Sequence, residues 1–465
     1  MTRTLTALLC VLLLLPATAE LLPVNIEAVG ITGDGIVVAL DGDDSNPGTE
    51  EAPMRSLQAA ADKLQPGQTL FIREGTWEND HDFAVLELKN SGTADAWIRI
   101  TRFPGDDRPL FRFNSLRGIR VAGASYLLID GFEFDGRNDE LNTRDAQAHC
   151  KAFGERGGDG YDNPEYFGVG IRIGSEGDRF PHHVIARDHI IHDCSGGGIS
   201  TARADYVLIE DNVVFRTSFY TPWGGSAISV WQSSNHDNDT SQYRTVIRNN
   251  TCFGNDNRVK FWMMDIFSDG NGIIIDATRN TQGHITNDGY SEPYNGRTLI
   301  ANNVCYLNGG RGVNIYESDN IDVVHNTLYR NATRSNVEQE IELGRTKNVR
   351  IYNNIIVPSR GKHAIGGYQT EDIRTDYNLV YGVKPHGGFG FGDHTIDGRP
   401  RFRKGPTRSI LDDDRAWQKV DFRQHPRSAS IDAATAAWAV DTDKDGRDRS
   451  EHAPADAGAY EFAGE

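Results

Sequence analysis

The chain has 465 residues and a formal net charge of −18 at pH 7. This charge argues against nucleic acid as a partner, and against any strongly anionic partner unless cations mediate the contact. The 49 glycines, together with many asparagines, fit a fold with tight corners better than one built from long helices.

The first 19 residues are typical of a secretory signal. Arg3 is followed by an apolar run from Leu5 to Leu15, and Ala17–Ala19 provides a small-residue cleavage site. The run is too short to span a bilayer, and no later segment is apolar enough to cross one. We therefore expect residues 1–19 to be removed, and residues 20–465 to form a secreted or periplasmic protein without a membrane partner.

The segment 41–77 is predicted to close the N-terminal end of the fold. Its clearest helical pattern is Ser56–Leu64, with Ser56 as the N-cap and apolar residues along one face. A helix here would cover the first strand edge, which would otherwise favour aggregation.

A repeated pattern begins near residue 183 and continues to residue 357. Alternating aliphatic residues lead to a polar position, and aliphatic or aromatic residues follow it. The polar position falls at His189, Asn212, Asn250, Asn303, Asn326 and Asn354. The steps between these positions are 23, 38, 53, 23 and 28 residues, and we interpret 53 as about two coils and the others as one.

Repeats of this length, carrying β-branched residues, indicate a stacked solenoid. The period-two alternation indicates strands, so the sequence predicts an all-β, single-domain parallel β-helix. The repeated Asn is expected to bond to the turn of the next coil and to satisfy backbone groups that would otherwise be buried without partners. The tail 432–462 is predicted to cap the C-terminal end.

Four cysteines remain after the signal segment. Cys252 and Cys305 share one repeat position, which predicts packed core thiols rather than a disulfide. For Cys150 and Cys194 the sequence leaves a bridge open.

The strand after each Asn turn is predicted to supply a binding groove. Its second and fourth residues are mostly aliphatic and should point inward, so that the fifth residue points outward. Neighbouring coils would thus present Trp231, Asp276 and Tyr316 in a line, with Gln232 and Glu317 next along the chain. Aromatic faces stack on sugar rings while carboxylates and amides hold hydroxyls, which favours a sugar-binding floor. The alternative is that long loops cover these residues and make them a second core.

Loops beside this strand carry further candidates. One loop contributes Trp223, and the loop 254–272 contributes Lys260, Asp265 and Asp269 just before the Asp276 strand. Arg279 follows that strand. Long loops in a compact fold are usually functional, so these residues are candidates for catalysis and for metal binding.

Three stretches, 41–77, 90–111 and 441–462, resemble secreted right-handed parallel β-helix proteins. Among these proteins are polysaccharide lyases of the pectate-lyase and alginate/chondroitin-lyase types. The resemblance spans most of the chain after the signal segment. It implies a right-handed β-helix, a polysaccharide substrate and cleavage of a uronic-acid-containing chain by β-elimination. We expect the protein to act as a monomer.

Lyases of this kind use a cation, often Ca²⁺, that neutralises the substrate carboxylate, and a Lys or Arg base that removes the C5 proton. No family motif matches this chain residue for residue. Local composition and register offer Asp265, Asp269 and Asp276 as calcium ligands, Lys260 or Arg279 as the base, and Asp276 among the catalytic residues. Trp223, Trp231, Gln232, Tyr316 and Glu317 would then bind the polysaccharide.

Three other functions stay open at this point. A glycoside hydrolase would use two carboxylates from the set Asp265, Asp269, Asp276 and Glu317 as acid and base. A uronan C5-epimerase would share the lyase site and return the proton. A carbohydrate-binding or adhesive solenoid would use the same aromatic residues without chemistry.

Overall fold

The computed structural model describes residues 35–79, 83–282, 290–383, 390–412, 415–451 and 454–464. The predicted signal segment lies outside the described residues. Within them, three parallel sheets run side by side along one axis. From Thr69–Ile72 onward each coil contributes one strand to sheet A, then one to sheet B, then one to sheet C, and the last coil ends in sheet B. No helix in these ranges is both long and apolar enough to cross a membrane.

The strands of each sheet follow one another in register from coil to coil. Sheet A contains Gly35–Val38, Thr69–Ile72, Ile98–Arg102, Leu127–Asp130, His182–Arg187, Asp205–Glu210, Tyr243–Arg248, Arg297–Ala301, Asp319–Val324, Lys347–Tyr352 and Glu371–Asp376. Sheet B contains Thr76–Asn79, Leu110–Phe113, Glu133–Asp135, Ile190–His192, Val213–Phe215, Thr251–Phe253, Val304–Tyr306, Thr327–Tyr329, Ile355–Val357 and Leu379–Val380. Sheet C contains Ala84–Leu88, Arg117–Ala122, Val169–Gly174, Gly197–Ala202, Ile228–Trp231, Ile273–Asp276, Val313–Tyr316, Gln339–Gly344 and His363–Tyr368.

Helices are few and lie between strands. Helix α1 spans Leu57–Ala61 and helix α2 spans Thr143–Glu155. Short 3-10 helices occupy Asn138–Glu140, Pro164–Tyr166, Arg408–Asp412, Ala416–Lys419, Ala436–Trp438 and Arg449–Glu451. A small antiparallel pair joins Phe402–Lys404 to Asp421–Gln424.

Helix α1 is shorter than the predicted helix Ser56–Leu64, although Leu57, Ala60, Ala61 and Leu64 are buried as expected. Ser56 precedes the helix in an extended conformation, but its side chain does not cap the helix. The Ser56 hydroxyl instead donates to Asp44. The Ser56 hydroxyl is therefore bonded to the Asp44 carboxylate and not to a backbone N–H at the helix N-terminus.

The predicted Asn ladder forms at the corner between sheets A and B. The Asn250 backbone N–H donates to Asn303 Oδ1 at 2.9 Å, and Asn250 Nδ2 donates to the same oxygen at 3.0 Å and to the Ile209 carbonyl at 2.9 Å. The same pattern joins Asn212 to Asn354 coil by coil and extends to Asn378. His189 occupies the first position, as predicted, and its N–H donates to Asn212 Oδ1 at 3.0 Å.

The interpretation of the 53-residue step as two coils is wrong. Asn250 bonds directly to Asn303, and Cys252 pairs with Cys305 in the adjacent coil. The extra length lies in the loops on either side of the sheet C strand Ile273–Asp276, so this step is one coil. Both cysteines are buried free thiols, as are Cys150 and Cys194, and no pair is bridged.

A second buried ladder runs along the corner between sheets B and C, and the sequence analysis missed it. Thr217, Asn255, Asn308 and Asn331 are joined coil by coil through backbone N–H donors and Oδ1 acceptors. Glu340 ends the ladder by accepting from Asn331 N–H and Nδ2, each at 2.7 Å. Loops leave the solenoid at this corner, so the ladder holds the coil closed beneath the insertions.

The C-terminal segment 432–462, which was predicted to be a cap, is not confined to the last coil. It runs along the corner between sheets A and B across several coils. Asn302 Nδ2 donates to the Thr442 carbonyl at 2.7 Å, and the Gly458 N–H donates to the Asn353 carbonyl at 2.7 Å. The residue before each ladder Asn has a left-handed backbone. The outward-facing polar groups at this corner are the hydrogen-bond partners of the C-terminal segment.

Candidate functional site

The outer face of sheet C carries the predicted line of side chains. Trp231 pairs in register with Asp276, and Asp276 pairs with Tyr316 in the next coil. The row continues through Gly344 to Tyr368. Strand spacing of about 4.8 Å places these side chains side by side along the solenoid axis.

Insertions at the corner between sheets B and C form a wall along one side of this face. Helix α2 and the loops 216–227 and 254–272 all leave the solenoid at that corner. They share an apolar cluster in which Phe153 contacts Trp223 at 5.6 Å and Trp262 at 5.8 Å between ring centroids. The wall is therefore a small core of its own, outside the main one.

On the opposite side, longer segments connect sheet C to sheet A. The loop 232–242 follows Trp231, and the segment after Asp276 returns to sheet A at Arg297. Loops therefore adjoin sheet C at both of its corners. The groove between them stays a prediction.

Asp276 is the most unusual group on the floor. Its Oδ1 is buried without a hydrogen-bond partner. Burial raises the pKa of Asp276 well above its usual value, and the negative charges of Asp269 and Glu317 raise it further. A carboxyl group that holds its proton in this way is suited to proton transfer.

Glu317 lies beside Asp276 but in a different electrostatic state. Its carboxylate accepts from Arg345 at 2.7 Å, from Thr281 at 2.9 Å and from Gln282 at 3.2 Å. Burial works to raise the pKa of Glu317, yet these hydrogen bonds outweigh it and hold the pKa below its usual value. Two neighbouring carboxyl groups therefore differ in their affinity for a proton.

Aromatic rings flank Asp276 along the row. Trp231 and Tyr316 are partly exposed, and Tyr368 is 45% exposed two coils beyond Tyr316. Gly344 lies between the two tyrosines, and a Cβ there would meet Tyr316 at 2.8 Å and the Tyr368 hydroxyl at 3.1 Å. The missing side chain therefore leaves space for both rings on the floor.

Two predicted sugar-binding residues lie elsewhere. Trp223 is inside the wall cluster, because the aromatic residues of α2 and the 254–272 loop pack around its ring. Gln232 is fully buried with a left-handed backbone at the corner after Trp231, where its Oε1 accepts from Arg203 at 3.4 Å. Neither side chain belongs to the exposed row.

The predicted metal ligands do not come together as one set. Asp265 lies in the outer loop, where its carboxylate accepts from Lys260 Nζ at 3.0 Å, and its side chain is 86% exposed. Asp269 accepts from Ser268 at 2.5 Å and from Asn271 at 3.1 Å, and burial raises its pKa. Among the described residues, Asp265, Asp269 and Asp276 do not gather three ligand oxygens within 4.8 Å.

This arrangement does not fit the predicted three-carboxylate calcium site. Calcium takes six to eight oxygen ligands, whereas Asp276 alone of the three offers an unpartnered buried oxygen. A calcium requirement therefore stays a prediction.

The two predicted bases differ in their surroundings. Lys260 is exposed on the wall loop and is paired with Asp265. Arg279 donates to Asp319 through Nε at 2.8 Å and through Nη2 at 2.7 Å. This two-point contact raises the pKa of Arg279, so that the guanidinium stays protonated.

An arginine pair on the same sheet was not assigned from sequence. Arg172 faces outward, and its Nη1 donates to Ser200 Oγ at 3.1 Å, while Arg117 Nη1 donates to the Phe167 carbonyl at 3.2 Å. In the described part of the chain neither guanidinium forms an ion pair with a carboxylate. Burial, followed by the charge of Arg172, lowers the pKa of Arg117 to about 9.

Burial likewise lowers the pKa of Arg172. By contrast, the adjacent Arg120 is neutralised by Glu87 and Glu176. Arg172 therefore forms a positive patch on the outer face of sheet C in an acidic protein, whereas Arg117 is aligned with Val169, in the register of the inward-facing Ile119 and Val121, at the start of its strand. Strand alternation predicts only that Arg172 faces outward. Its lack of a carboxylate partner depends on side chains of neighbouring coils and could not be predicted from the sequence.

Comparison with known proteins supports the same architecture. Residues 36–186 match the family described as Pel9A-like, right handed beta helix region. The uncharacterized protein YwoF of Bacillus subtilis (strain 168) is 30% identical over 106 residues, which are 20% of this chain and 22% of that protein. Pectate lyase PEL9 of Emericella nidulans is 34% identical over 71 residues, 15% of this chain and 17% of that protein. The chain thus spans about a fifth of the length of these curated relatives.

A solved structure covers far more of the chain. The crystal structure of pectate lyase Pel9A aligns with a TM-score of 0.51 and 17% sequence identity, over 93% of this chain and 97% of that chain. Likeness at this identity establishes the fold and leaves the reaction to be argued from the site. The predicted fold class is confirmed: the chain has the right-handed parallel β-helix fold of pectate lyase Pel9A, and residues 36–186 are similar in sequence to the Pel9A-like β-helix region.

Proposed function

We propose that this protein cleaves a uronic-acid-containing polysaccharide by β-elimination in the groove on sheet C. The observation that carries the proposal is Arg172, which lies on the same face as Asp276 and has no carboxylate partner among the described residues. A substrate carboxylate would supply the missing partner of Arg172, because guanidinium groups bind carboxylates with charge-assisted hydrogen bonds. The fold shared with pectate lyase Pel9A agrees with this reaction.

The strand register places Arg172, the proposed binding residue, away from Asp276, the proposed catalytic residue. Arg172 pairs with Ser200, Ser200 with Ser229, and Ser229 with Ile274, so three coils separate Arg172 from the strand of Asp276. This is about 14 Å at the usual strand spacing. Arg172 would therefore hold a uronate some way along the polysaccharide from the bond that is cleaved.

Around Asp276, the side chains could carry each part of an elimination. Arg345 lies next to Tyr316, with Nη1 3.4 Å from the tyrosine hydroxyl and 2.7 Å from Glu317. Its guanidinium would be shared between Glu317 and the carboxylate of the reacting uronate, and would partly neutralise that carboxylate. That neutralisation makes the C5 proton more acidic. Ionised Asp276 would remove the proton as the C4–O bond breaks and a C4–C5 double bond forms.

The leaving oxygen must then receive a proton. The hydroxyl of Tyr316, in the coil next to Asp276, can supply it. Burial and the charge of Glu317 raise the pKa of Tyr316, so its hydroxyl stays protonated and can donate the proton to the leaving oxygen. Lys260, the base suggested by the sequence, is the alternative to Asp276 in this scheme.

One observation favours a second candidate, a glycoside hydrolase. The pKa of Asp276 is raised while that of Glu317 is lowered, and such a split is how two carboxyl groups take the acid and base roles in glycoside hydrolysis. In that reaction Asp276 would donate its proton to the glycosidic oxygen.

The test is to incubate the protein with polygalacturonate, alginate, chondroitin and ulvan, with and without EDTA. We expect a rise in the ultraviolet absorbance of unsaturated uronate on at least one polymer. A loss of activity in EDTA that added calcium restores and added zinc does not would reveal a calcium requirement. New reducing ends without that absorbance would establish hydrolysis instead. Binding without either product would indicate a carbohydrate-binding solenoid, and inversion at C5 without chain cleavage would indicate an epimerase.

A further inference from the structure

Three histidines meet at the corner between sheets C and A. His182 and His183 begin the sheet A strand His182–Arg187, and His236 lies in the loop 232–242 that leads back to sheet A. Each offers one ring nitrogen within 4.8 Å of the other two, and the Nδ1 atoms of His182 and His183 are 2.8 Å apart. The loop and two consecutive residues of a rigid strand thus present nitrogen donors to one point.

We propose that His182, His183 and His236 bind one divalent transition-metal ion, with zinc as the best fit. Imidazole nitrogen is a preferred zinc ligand, whereas calcium and magnesium take oxygen ligands. Zinc with Zn–N distances of about 2.0–2.1 Å in a tetrahedral site separates its ligand nitrogens by about 3.3 Å. The observed spacing brackets this value, so small ring rotations complete the site.

The stacking of the coils fixes one of the three ligands. His183 lies opposite Tyr206 in the next coil, and its ring is sandwiched between Tyr126 at 4.8 Å and Tyr206 at 4.5 Å. All three residues have left-handed backbones, with φ of 58° for Tyr126, 54° for His183 and 47° for Tyr206. The same turn in three successive coils therefore holds the His183 ring in place before any metal binds.

His236, the third ligand, must change its ring orientation to bind the ion. The His236 ring stacks on His182 with centroids 3.7 Å apart and an interplanar angle of 28°. Two stacked rings cannot both direct in-plane lone pairs at one ion, so His236 must rotate for coordination. It is free to do so because its side chain is exposed in a loop.

A carboxylate next to the histidines suits a cation. Asp237 follows His236 in sequence, and its Oδ2 accepts from the Tyr206 hydroxyl at 2.9 Å. It can offset the charge of the ion or supply a fourth ligand, as zinc sites require. Arg244 lies 3.4 Å from Asp237 but is held by the buried Asp205.

A second cluster of potential ligands, Asp135, His192 and Asp193, does not offer a comparable site. His192 Nδ1 lies 2.8 Å from Asp193, and Arg216 Nε donates to Asp193 at 3.0 Å. The Asp193 carboxylate is therefore already paired with His192 and Arg216 and is not available to a metal ion.

Zinc binding at this corner does not depend on the reaction in the groove. Zinc at this corner would tie the loop that follows Trp231 to the adjoining coils. Binding to the folded state alone would also raise the melting temperature as zinc is added.

The test uses the untagged full chain after treatment with a chelator. Zinc is titrated by calorimetry, and cobalt is added in parallel to read the visible spectrum of a nitrogen-ligated ion. The variants are His236→Gln and His182→Gln, with exposed His425→Gln as the matched control and circular dichroism to confirm folding.

We expect one zinc per chain for the wild-type and His425→Gln proteins, and at least about tenfold weaker binding for both cluster variants. His236→Gln is decisive, because the residue is exposed and its loss should leave the fold intact. Absence of zinc binding by the wild-type protein, or unchanged binding by His236→Gln, would overturn the proposal.

Discussion

At the scale of single residues, Asp276 is the group on which the proposed chemistry depends. Asp276→Asn keeps the size of the side chain and removes the titration. We expect the elimination rate to fall between about 100- and 10,000-fold, the usual contribution of a positioned base. Steady-state kinetics on the cleaved polymer measure this loss, with Asp372→Asn, an exposed change on sheet A, as the control.

Asp276→Asn also has a predicted effect on the stability of the folded protein. Because the folded-state pKa of Asp276 is raised, its contribution to stability is present below the unfolded value of 3.8 and is lost as the pH rises through the folded value. Asp276→Asn should therefore be at least as stable as wild type near neutral pH. An inactive variant that is also unfolded would leave Asp276 without support as the base.

The pH dependence of the rate separates the two reactions. As a base, Asp276 must be ionised, so elimination should increase as the pH rises through its raised pKa. As the acid of a hydrolase it must be protonated, and the rate would fall over the same range. A pH–rate profile of the wild-type protein, compared with Glu317→Gln, distinguishes these cases.

At the scale of structural elements, the Asn ladder carries much of the fold's specificity. Asn303 accepts two hydrogen bonds from Asn250, and its Nδ2 donates to the Ile247 carbonyl and to Asn326. Asn303→Ala leaves buried donors and acceptors without partners, at about 1–3 kcal/mol for each group. We expect a loss of roughly 3 kcal/mol or more in the free energy of unfolding, measured with urea. The exposed Asn336→Ala should lose less than about 0.5 kcal/mol, and equal losses would argue against the ladder's role.

The second ladder predicts an unusual pH dependence at its end. Burial raises the pKa of Glu340 from 4.5 to about 8, so the folded protein holds a proton that the unfolded chain has released. The free energy of unfolding should then fall from about pH 4.5 to about pH 8, by at most about 1.4 kcal/mol per pH unit. Glu340→Gln should flatten this part of the curve, whereas Glu371→Gln on exposed sheet A should not. Parallel curves for wild type and Glu340→Gln would contradict the assignment.

Sequence predicted those parts of the structure that depend on local periodicity. The ladder positions and the row Trp231–Asp276–Tyr316 follow from strand alternation and were correctly placed. Coil number across the 53-residue step was not predictable, because insertion length does not reveal how many rungs an insertion contains. Trp223 was misplaced for a related reason: its neighbours come from α2 and a different loop, far away in sequence.

At the scale of the whole molecule, an acidic protein is proposed to bind an acidic polymer through a local positive patch. Arg172→Ala should raise KM about tenfold with a smaller effect on kcat, because the residue lies three coils from Asp276 and binds the ground state and transition state alike. Added salt should weaken binding by the wild-type protein more than by the variant, since ions screen the patch. Arg374→Ala on sheet A is the matched control, and equal effects of both changes would place the substrate elsewhere.

The most direct test of β-elimination in this groove is the mass of the products. Mass spectrometry of oligosaccharides released from a uronic-acid-containing polymer should show unsaturated ends, each lighter by one water than the corresponding hydrolysis product. We predict that the wild-type protein yields this unsaturated series and that Asp276→Asn does not. Products that carry the additional water would contradict the account and would favour hydrolysis by Asp276 and Glu317.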